Sequence, residues 1–594
     1  MARDIKDERQ GIAQSELDQP NAAPFSDPNS IQIQLDEPHQ RMAVRIIHED
    51  FRSSKESRDQ RDYGRSSKGD VLTHEKWLKE LKDLYFGRRI PKTIPWQYCS
   101  NRSMLIAMAI LDTIHARIFP AVYNEELTRW QAGSTAFIDR VERITKLMTW
   151  WVKVRAHLES FFDRWTRHAI GFGRVLSESM WDVQLIDRGA RTKPTTQMGP
   201  TGEPMQMGSE KKLDRLEKSA SFIVPEEDIF LQPGATDIQR DTVIIRKVYL
   251  YRELEEFERD GKMVNISTPS ADNVKTVKDM LNLSSQAATS GSTPEEQEEI
   301  LAVKRRNKPV TVLQWYGGID LDADGFPEQV RILATADWEI FLGGVEISSL
   351  SRQGLRHLDM TLFENRLDEP QSLNGMGILE KVKELALEID AIFNQMTDAN
   401  SLSILRPGFY DPAGTTDASA LKLSPNKWTA IENAANSIYV PEINIPTERL
   451  ILAIRLVMEF VERLTAASSY IMGKESEIVG GSGTATRTNA IVGAANERLS
   501  IPVTRLRYGA ARIITQHLDL LQVNLPPDIE ERILGPNNQP LFSGNELSQD
   551  SISGEYEAYQ LPDDTLGSKE TQRQLFQNLY SLLLQNPLTL TNPT

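Results

Sequence analysis

Two apolar seams of helical period, set on either side of a proline-rich segment, constrain this chain more than any other feature. Ile378, Val382, Leu385, Ile389, Ile392 and Met396 recur at alternating four- and three-residue steps. That spacing predicts an amphipathic helix with Glu380, Lys381, Lys383, Glu384 and Glu388 on its other faces. Leu450, Ile454, Val457, Met458, Val461 and Leu464 predict a second helix. Between them, Arg406 to Pro446 is rich in Pro, Gly, Asn and Asp; after them come a glycine-rich loop, Ile471 to Thr488, and a third helical stretch to Leu521. This order, from Gln371 to Leu525, suits a wall element that presents one end and one loop to something passing by. It is unusual for an enzyme core.

A chain of 594 residues, 26% charged and 40% hydrophobic, can bury a large core as several domains or one elaborated domain. Its single cysteine, Cys99, excludes an intrachain disulfide and a cysteine metal cluster. The polar start, Met-Ala-Arg-Asp-Ile-Lys, predicts no signal peptide, and no apolar run approaches the roughly 20 residues that span a bilayer, so a soluble protein is expected. The net charge of −16 counts against a tight, static DNA binder. It does not count against a surface over which DNA slides.

Residues 1–40, with eight acidic and three basic side chains and four prolines, predict a mobile or draped arm. Arg41 to Asp70 mixes both signs densely and reads as a solvated linker or surface helix, or less simply as a basic contact patch. From Glu75 helical patterns dominate: Trp77, Leu81 and Tyr85 share a face, a helix covers Met104 to Ile118, and Phe137 to His168 forms one or two more. Trp150, Trp151, Phe161, Phe162 and Trp165 suit buried packing better than a base-stacking platform. Strands are expected over Val175–Val183, Ser221–Leu231, Asp241–Leu250, Thr311–Gly317, Glu328–Ala334 and Trp338–Leu342. A short helix covers Tyr251–Arg259. Arg188–Lys218 reads as an inserted loop, Thr268–Glu299 as a flexible excursion around a short helix, and the acidic end, 525–594, carries a helix near Gln572–Leu584.

Catalytic and metal motifs fail on inspection. Asp320, Asp322 and Asp324-Gly325 imitate a calcium loop, but its twelfth position is Arg331 rather than a glutamate, and Asp-Gly between strands is a hairpin turn. None of the glycine clusters is followed by Gly-Lys-Ser/Thr, the eight histidines form no zinc motif, and no nucleophile elbow occurs. No catalytic residue, metal ligand or cofactor is assigned.

Several local patterns point further. Leu367-Asp-Glu-Pro370, Asn374-Gly-Met-Gly377-Ile378, Glu388-Ile-Asp390, Asn394-Gln395 and Asp398-Ala-Asn400 follow one another. Upstream lie Arg164-Trp-x-x-x-Ala169-Ile-Gly-Phe-Gly173, Val224-Pro-Glu-Glu-Asp228-Ile-Phe-Leu231 and Gly234-Ala-Thr-Asp237. Over about residues 75–525, in this order of elements, the chain resembles the portal (head-to-tail connector) proteins of tailed bacteriophages. The resemblance implies a mainly helical α+β fold assembled as a ring, usually of twelve copies, at one capsid vertex. Residues 1–74 would be an N-terminal arm, 75–370 the wing, 371–400 and 447–470 the stem, 401–446 the clip, 471–488 the tunnel loop, 489–524 a long wing or tunnel helix and 525–594 the crown.

The resemblance also implies partners: double-stranded DNA in the channel, a terminase motor, head-completion or tail adaptors, and the major capsid and scaffolding proteins. The place would be the virion, with host cytoplasm during assembly, and no membrane. Stem packing would fall to Ile378, Val382, Leu385, Ile389, Leu450, Ile454, Val457 and Val461, each helix turning an apolar stripe to its neighbours and a polar face to the lumen. Tyr439, Val440, Ile443 and Ile445 of the clip could pair as strand edges across subunits. In the loop, Gly480, Gly481 and Gly483 allow several backbone conformations, and Lys474 and Arg487 offer sparse positive contacts to phosphate. The rival readings are a metal-dependent nuclease using some of the many carboxylates, and a helical capsid scaffold or adaptor that never meets DNA.

Overall fold

The structure is a computed structural model that describes residues 37–61, 63, 71–92, 99–124, 129–190, 196–198, 204–206, 211–270, 274–285, 301–320, 325–404, 409–410, 438–439, 447–465, 485–526, 529, 533, 542 and 547–558. Of these, 184–215, 409–410, 438–439 and 485–497 are described by backbone only, as are a few residues at segment ends. The fold is α+β and mainly helical.

Among the described residues, the helices of eight or more residues are α1 (Glu37–Gln60), α2 (His74–Phe86), α3 (Ile106–Val122), α4 (Val141–Trp150), α5 (Leu158–Phe172), α6 (Tyr251–Arg259), α7 (Val277–Ser285), α8 (Ile378–Ile404), α9 (Thr447–Thr465) and α10 (Ala485–Asn524). The strands are β1 (Trp130–Ala132), β2 (Arg174–Ala190), β3 (Thr196–Met198), β4 (Pro204–Gln206), β5 (Lys211–Val224), β6 (Ile229–Leu231), β7 (Val243–Leu250), β8 (Pro309–Ile319), β9 (Glu328–Thr335), β10 (Phe341–Glu346), β11 (Leu358–Leu362), β12 (Phe409–Tyr410), β13 (Ile438–Tyr439) and β14 (Tyr556–Ala558).

Five strands form an antiparallel sheet in the order β10-β9-β8-β7-β6, and three form another, β11-β2-β5. The Asp-Gly segment joins β8 to β9 as a hairpin, with Ile319 opposite Glu328. The helical core gathers the aromatic stretch: Trp151, Phe161, Phe162 and Trp165 are buried, and Trp151 stacks on Trp181 of β2 with ring centres 5.9 Å apart. Those rings are packing, as the helical spacing implied. The stretch is broken by a π-helical turn, Trp151–Arg155, and by His157 at a φ of +49°.

Two expectations are corrected. Residues 37–60 are not part of a free arm. They form α1, whose Ala43, Val44 and Ile47 pack on the five-stranded sheet. Trp315 donates to Asp50 at 2.9 Å, His48 meets the Thr335 carbonyl at 2.9 Å, and Arg58 stacks 4.1 Å over Phe230. Three buried apolar side chains and these polar contacts anchor a helix that its surface charge had disguised. Arg188–Lys218 is not simply a loop: β2 and β5 continue as a paired ribbon from Leu176 opposite Val224 to Ala190 opposite Lys211. Backbone pairing holds such a ribbon without the apolar alternation that marks a half-buried strand. Residues 547–558 pack back on the helical part, β14 pairing with β1 and Gln522 of α10 donating to the Ile552 and Gly554 carbonyls at 2.8 and 3.0 Å. The helix expected near Gln572–Leu584 lies outside the described residues.

Candidate channel-wall element

The paired helices α8 and α9 stand on a root built from the sequence patterns singled out above. Gly171 and Gly173 close α5; Gly375 and Gly377 precede α8. A Cβ on Gly377 would sit 2.1 Å from the Gly171 carbonyl oxygen, and one on Gly375 would sit 1.9 Å from that of Gly173. Gly173 also takes a φ of +90°, which glycine alone adopts freely. The two glycine pairs therefore let two backbones touch, and Phe363 donates to the Gly173 carbonyl at 2.8 Å beside them.

Arg174, next in chain, is buried and donates through Nε to Glu226 at 2.6 Å; it also bonds Asn374 and the Leu373 carbonyl. Burial raises the Glu226 carboxyl, but the Arg174 charge and the His74 hydrogen bond outweigh it and bring the pKa down to about 2. Arg61 and Asn374 both reach Glu369, at 3.0 and 2.9 Å. Residues from four separate patterns thus meet at one buried junction.

Along α8 the spacing Asp390, Asn394, Asp398 places three polar side chains on one face. That face grips residues 100–104. Asp390 accepts from the Met104 amide at 2.8 Å and from Ser103 Oγ at 3.1 Å, and pairs with Arg89. Asn394 accepts from the Arg102 amide at 2.8 Å and donates to its carbonyl at 2.9 Å, while Asp398 accepts from the Ser100 amide at 2.6 Å. This polar helix face is a clamp.

The apolar seam of α8 is also spent inside the protomer. Ile378, Val382 and Ile389 are buried and Leu385 is half-buried, against α2, α3, α5 and α9. It does not face outward as the resemblance implied. β12 and β13 tie the end of α8 to the start of α9 by pairing Phe409 with Tyr439 and Tyr410 with Ile438, so α9 runs back along α8. Leu450, Ile454 and Val457 are half-buried and Val461 is buried. The free apolar face of α9 is a different one. Leu452, Leu456, Phe460 and Leu464, four residues apart, are 61%, 55%, 50% and 42% exposed, with Ile451 beside them. Four-residue spacing signals this stripe, but the inward seam on the same helix drew Leu464 into it.

Tyr439 lies in β13, where its strand partner belongs to the same chain. Val440, Ile443, Ile445, Lys474, Gly480, Gly481 and Gly483 lie outside the described residues. Arg487 does not sit in a loop, because α10 begins at Ala485 and takes it into its first turn. Once begun, α10 packs along β11, α3 and β2. Gly509 lies against Thr361, Arg512 bonds Asp359 at 2.5 Å, Gln516 donates to the Leu358 carbonyl at 2.9 Å, and Arg507 donates to the Ala121 carbonyl at 2.8 Å.

His517 of α10 is fully buried between Ser219 and Ser221 of β5, at 2.5 and 2.7 Å. Trp151 also donates to Ser219 Oγ at 2.7 Å, which extends the buried hydrogen-bonded chain. Burial, with a smaller push from His357, holds the imidazole neutral, at a pKa of about 3.

Among the described residues, no helix is long and apolar enough to cross a membrane, and no three His, Cys, Asp or Glu side chains are grouped so as to hold a metal ion. No curated protein matches the chain. A family model described as phage SU10 portal protein matches residues 143–536, which takes in the glycine junction, the buried Arg174–Glu226 pair, both α8 and α9, and all of α10. The chain belongs to the phage SU10 portal protein family.

Proposed function

We propose that this protein is the portal of a tailed phage: a ring of copies at the capsid vertex, usually twelve in proteins it resembles, through which double-stranded DNA is packaged and ejected. The observation that carries the ring is the stripe Leu452, Leu456, Phe460 and Leu464. A helix whose inward seam is already satisfied gains nothing from a second, solvent-facing row of large apolar side chains unless another surface covers it. Copies placed side by side cover it on every protomer, with α8 and α9 as the stem.

In this reading the wing is the part before residue 370, packed toward the shell. Residues 401–446 are the clip that receives the terminase motor and later the tail adaptor. Residues 471–484 with the start of α10 form the tunnel loop, where Lys474 and Arg487 meet phosphate sparsely enough for the duplex to slide. ATP hydrolysis belongs to the motor, and the portal itself catalyses nothing. The test is Leu456→Asp with Phe460→Asp, followed by sedimentation velocity. The wild-type chain is expected to sediment as a closed oligomer and the variant as a folded monomer with unchanged circular dichroism. An oligomer of undiminished size in the variant would overturn the assigned stem contact.

A further inference from the structure

We infer that the outward face of α10 meets the acidic face of α8 in the next copy around the ring, so that a charge pair, besides the apolar stripe, sets the register between subunits. Five side chains on α10, at steps of three, four, three and four, form this face: Arg498, Ile501, Arg505, Tyr508 and Arg512. Ile501 and Tyr508 are 63% and 60% exposed, Arg498 is exposed and Arg505 half-exposed. From 498 to 518 the helix carries four arginines and no carboxylate, in a chain whose net charge is −16. Arg512 is tied to Asp359, and Arg498 to the Arg463 carbonyl at the end of α9. Among the described residues Arg505 has no such partner.

Arginine interleaved with tyrosine and isoleucine is the composition of a protein contact. A duplex offers no surface to an exposed Ile501, so phosphate is the poorer fit. The stripe cannot face its own copy across a two-fold axis, because arginine would meet arginine. A head-to-tail contact, the kind that closes rings, needs a different and complementary face. The chain supplies one. Glu384 and Glu388 are exposed on α8 and, among the described residues, have no bonded or ion-pair partner. In the proposed ring they would stand near the level of Arg498. Because α9 runs back along α8, the Arg463–Arg498 junction lies beside the first half of α8, and a rotation about the ring axis preserves that level.

This pairing rests on the ring reading, and the experiment separates the two. Arg505→Glu and the double change Glu384→Arg with Glu388→Arg are made separately and together in the full chain, and the concentration for half-assembly is read by mass photometry. Each alone is expected to raise that concentration tenfold or more, and the combination to return it to within about threefold of wild type. A combination no better than the worse parent would overturn the pairing while leaving the ring intact. Arg505→Glu that spares assembly but weakens binding of a duplex oligonucleotide would also overturn it, assigning the stripe to phosphate. A wild-type chain that never assembles would overturn both.

Discussion

Single residues decide whether the rods have a root. Gly377→Ala must push a methyl group into the Gly171 backbone, where no side chain can swing aside. Overpacking of that kind costs about 3 kcal/mol. Chemical denaturation should show the loss, whereas Gly234→Ala, where a Cβ meets nothing within 4 Å, should lose less despite its positive φ. Glu226→Ala strands the buried Arg174 guanidinium and should cost about 3–5 kcal/mol by the same measurement.

Acid acts on two groups in different windows. His517 binds a proton readily when unfolded, near pH 6.5, but when folded only near pH 3. Its contribution is therefore complete above pH 6.5 and declines as pH falls toward 3. Glu226, depressed from 4.5 to about 2, loses its contribution only as pH falls through that lower range. His517→Asn should accordingly flatten the fall in melting temperature between pH 6.5 and 4, while lowering the melting temperature at pH 7. An unchanged slope would show that the imidazole is not held neutral.

At the scale of elements, the long rods were legible and their surroundings were not. A seam repeating over five turns, as in Ile378 to Met396, specifies a helix whatever packs against it, and α8 occupies Ile378–Ile404. Which partner takes the seam is a tertiary question, and here the protomer takes it. The three-point clamp of Asp390, Asn394 and Asp398 was invisible for a related reason: a polar side chain that bonds distant backbone looks the same in sequence as one facing water. α1 was misjudged because three buried residues among many charges leave a weak periodic signal. The glycine junction was seen only as short patterns, since nothing in one sequence says that two glycine pairs 200 residues apart will touch. Asp390→Ala with Asn394→Ala tests the clamp. Both helices should persist by circular dichroism, and amide exchange in residues 99–105 should rise by an order of magnitude or more.

For the whole molecule, the charge and the shape have to serve one task. In the proposed ring, copies that each carry a net charge of −16 would repel a duplex rather than hold it. The positive charge on α10 is therefore better placed between subunits than along a channel. The rods run roughly 40 Å and 28 Å, from 27 and 19 residues at 1.5 Å each, long enough to line a passage rather than a pocket. The most direct measurement is single-particle electron microscopy of the assembled full-length protein. It should reveal a closed ring whose central opening admits a duplex, with α8 and α9 of every copy around it and Leu456 and Phe460 covered by the neighbour. Particles in which those two side chains remain in solvent, or in which the rods converge on no common axis, would contradict the account.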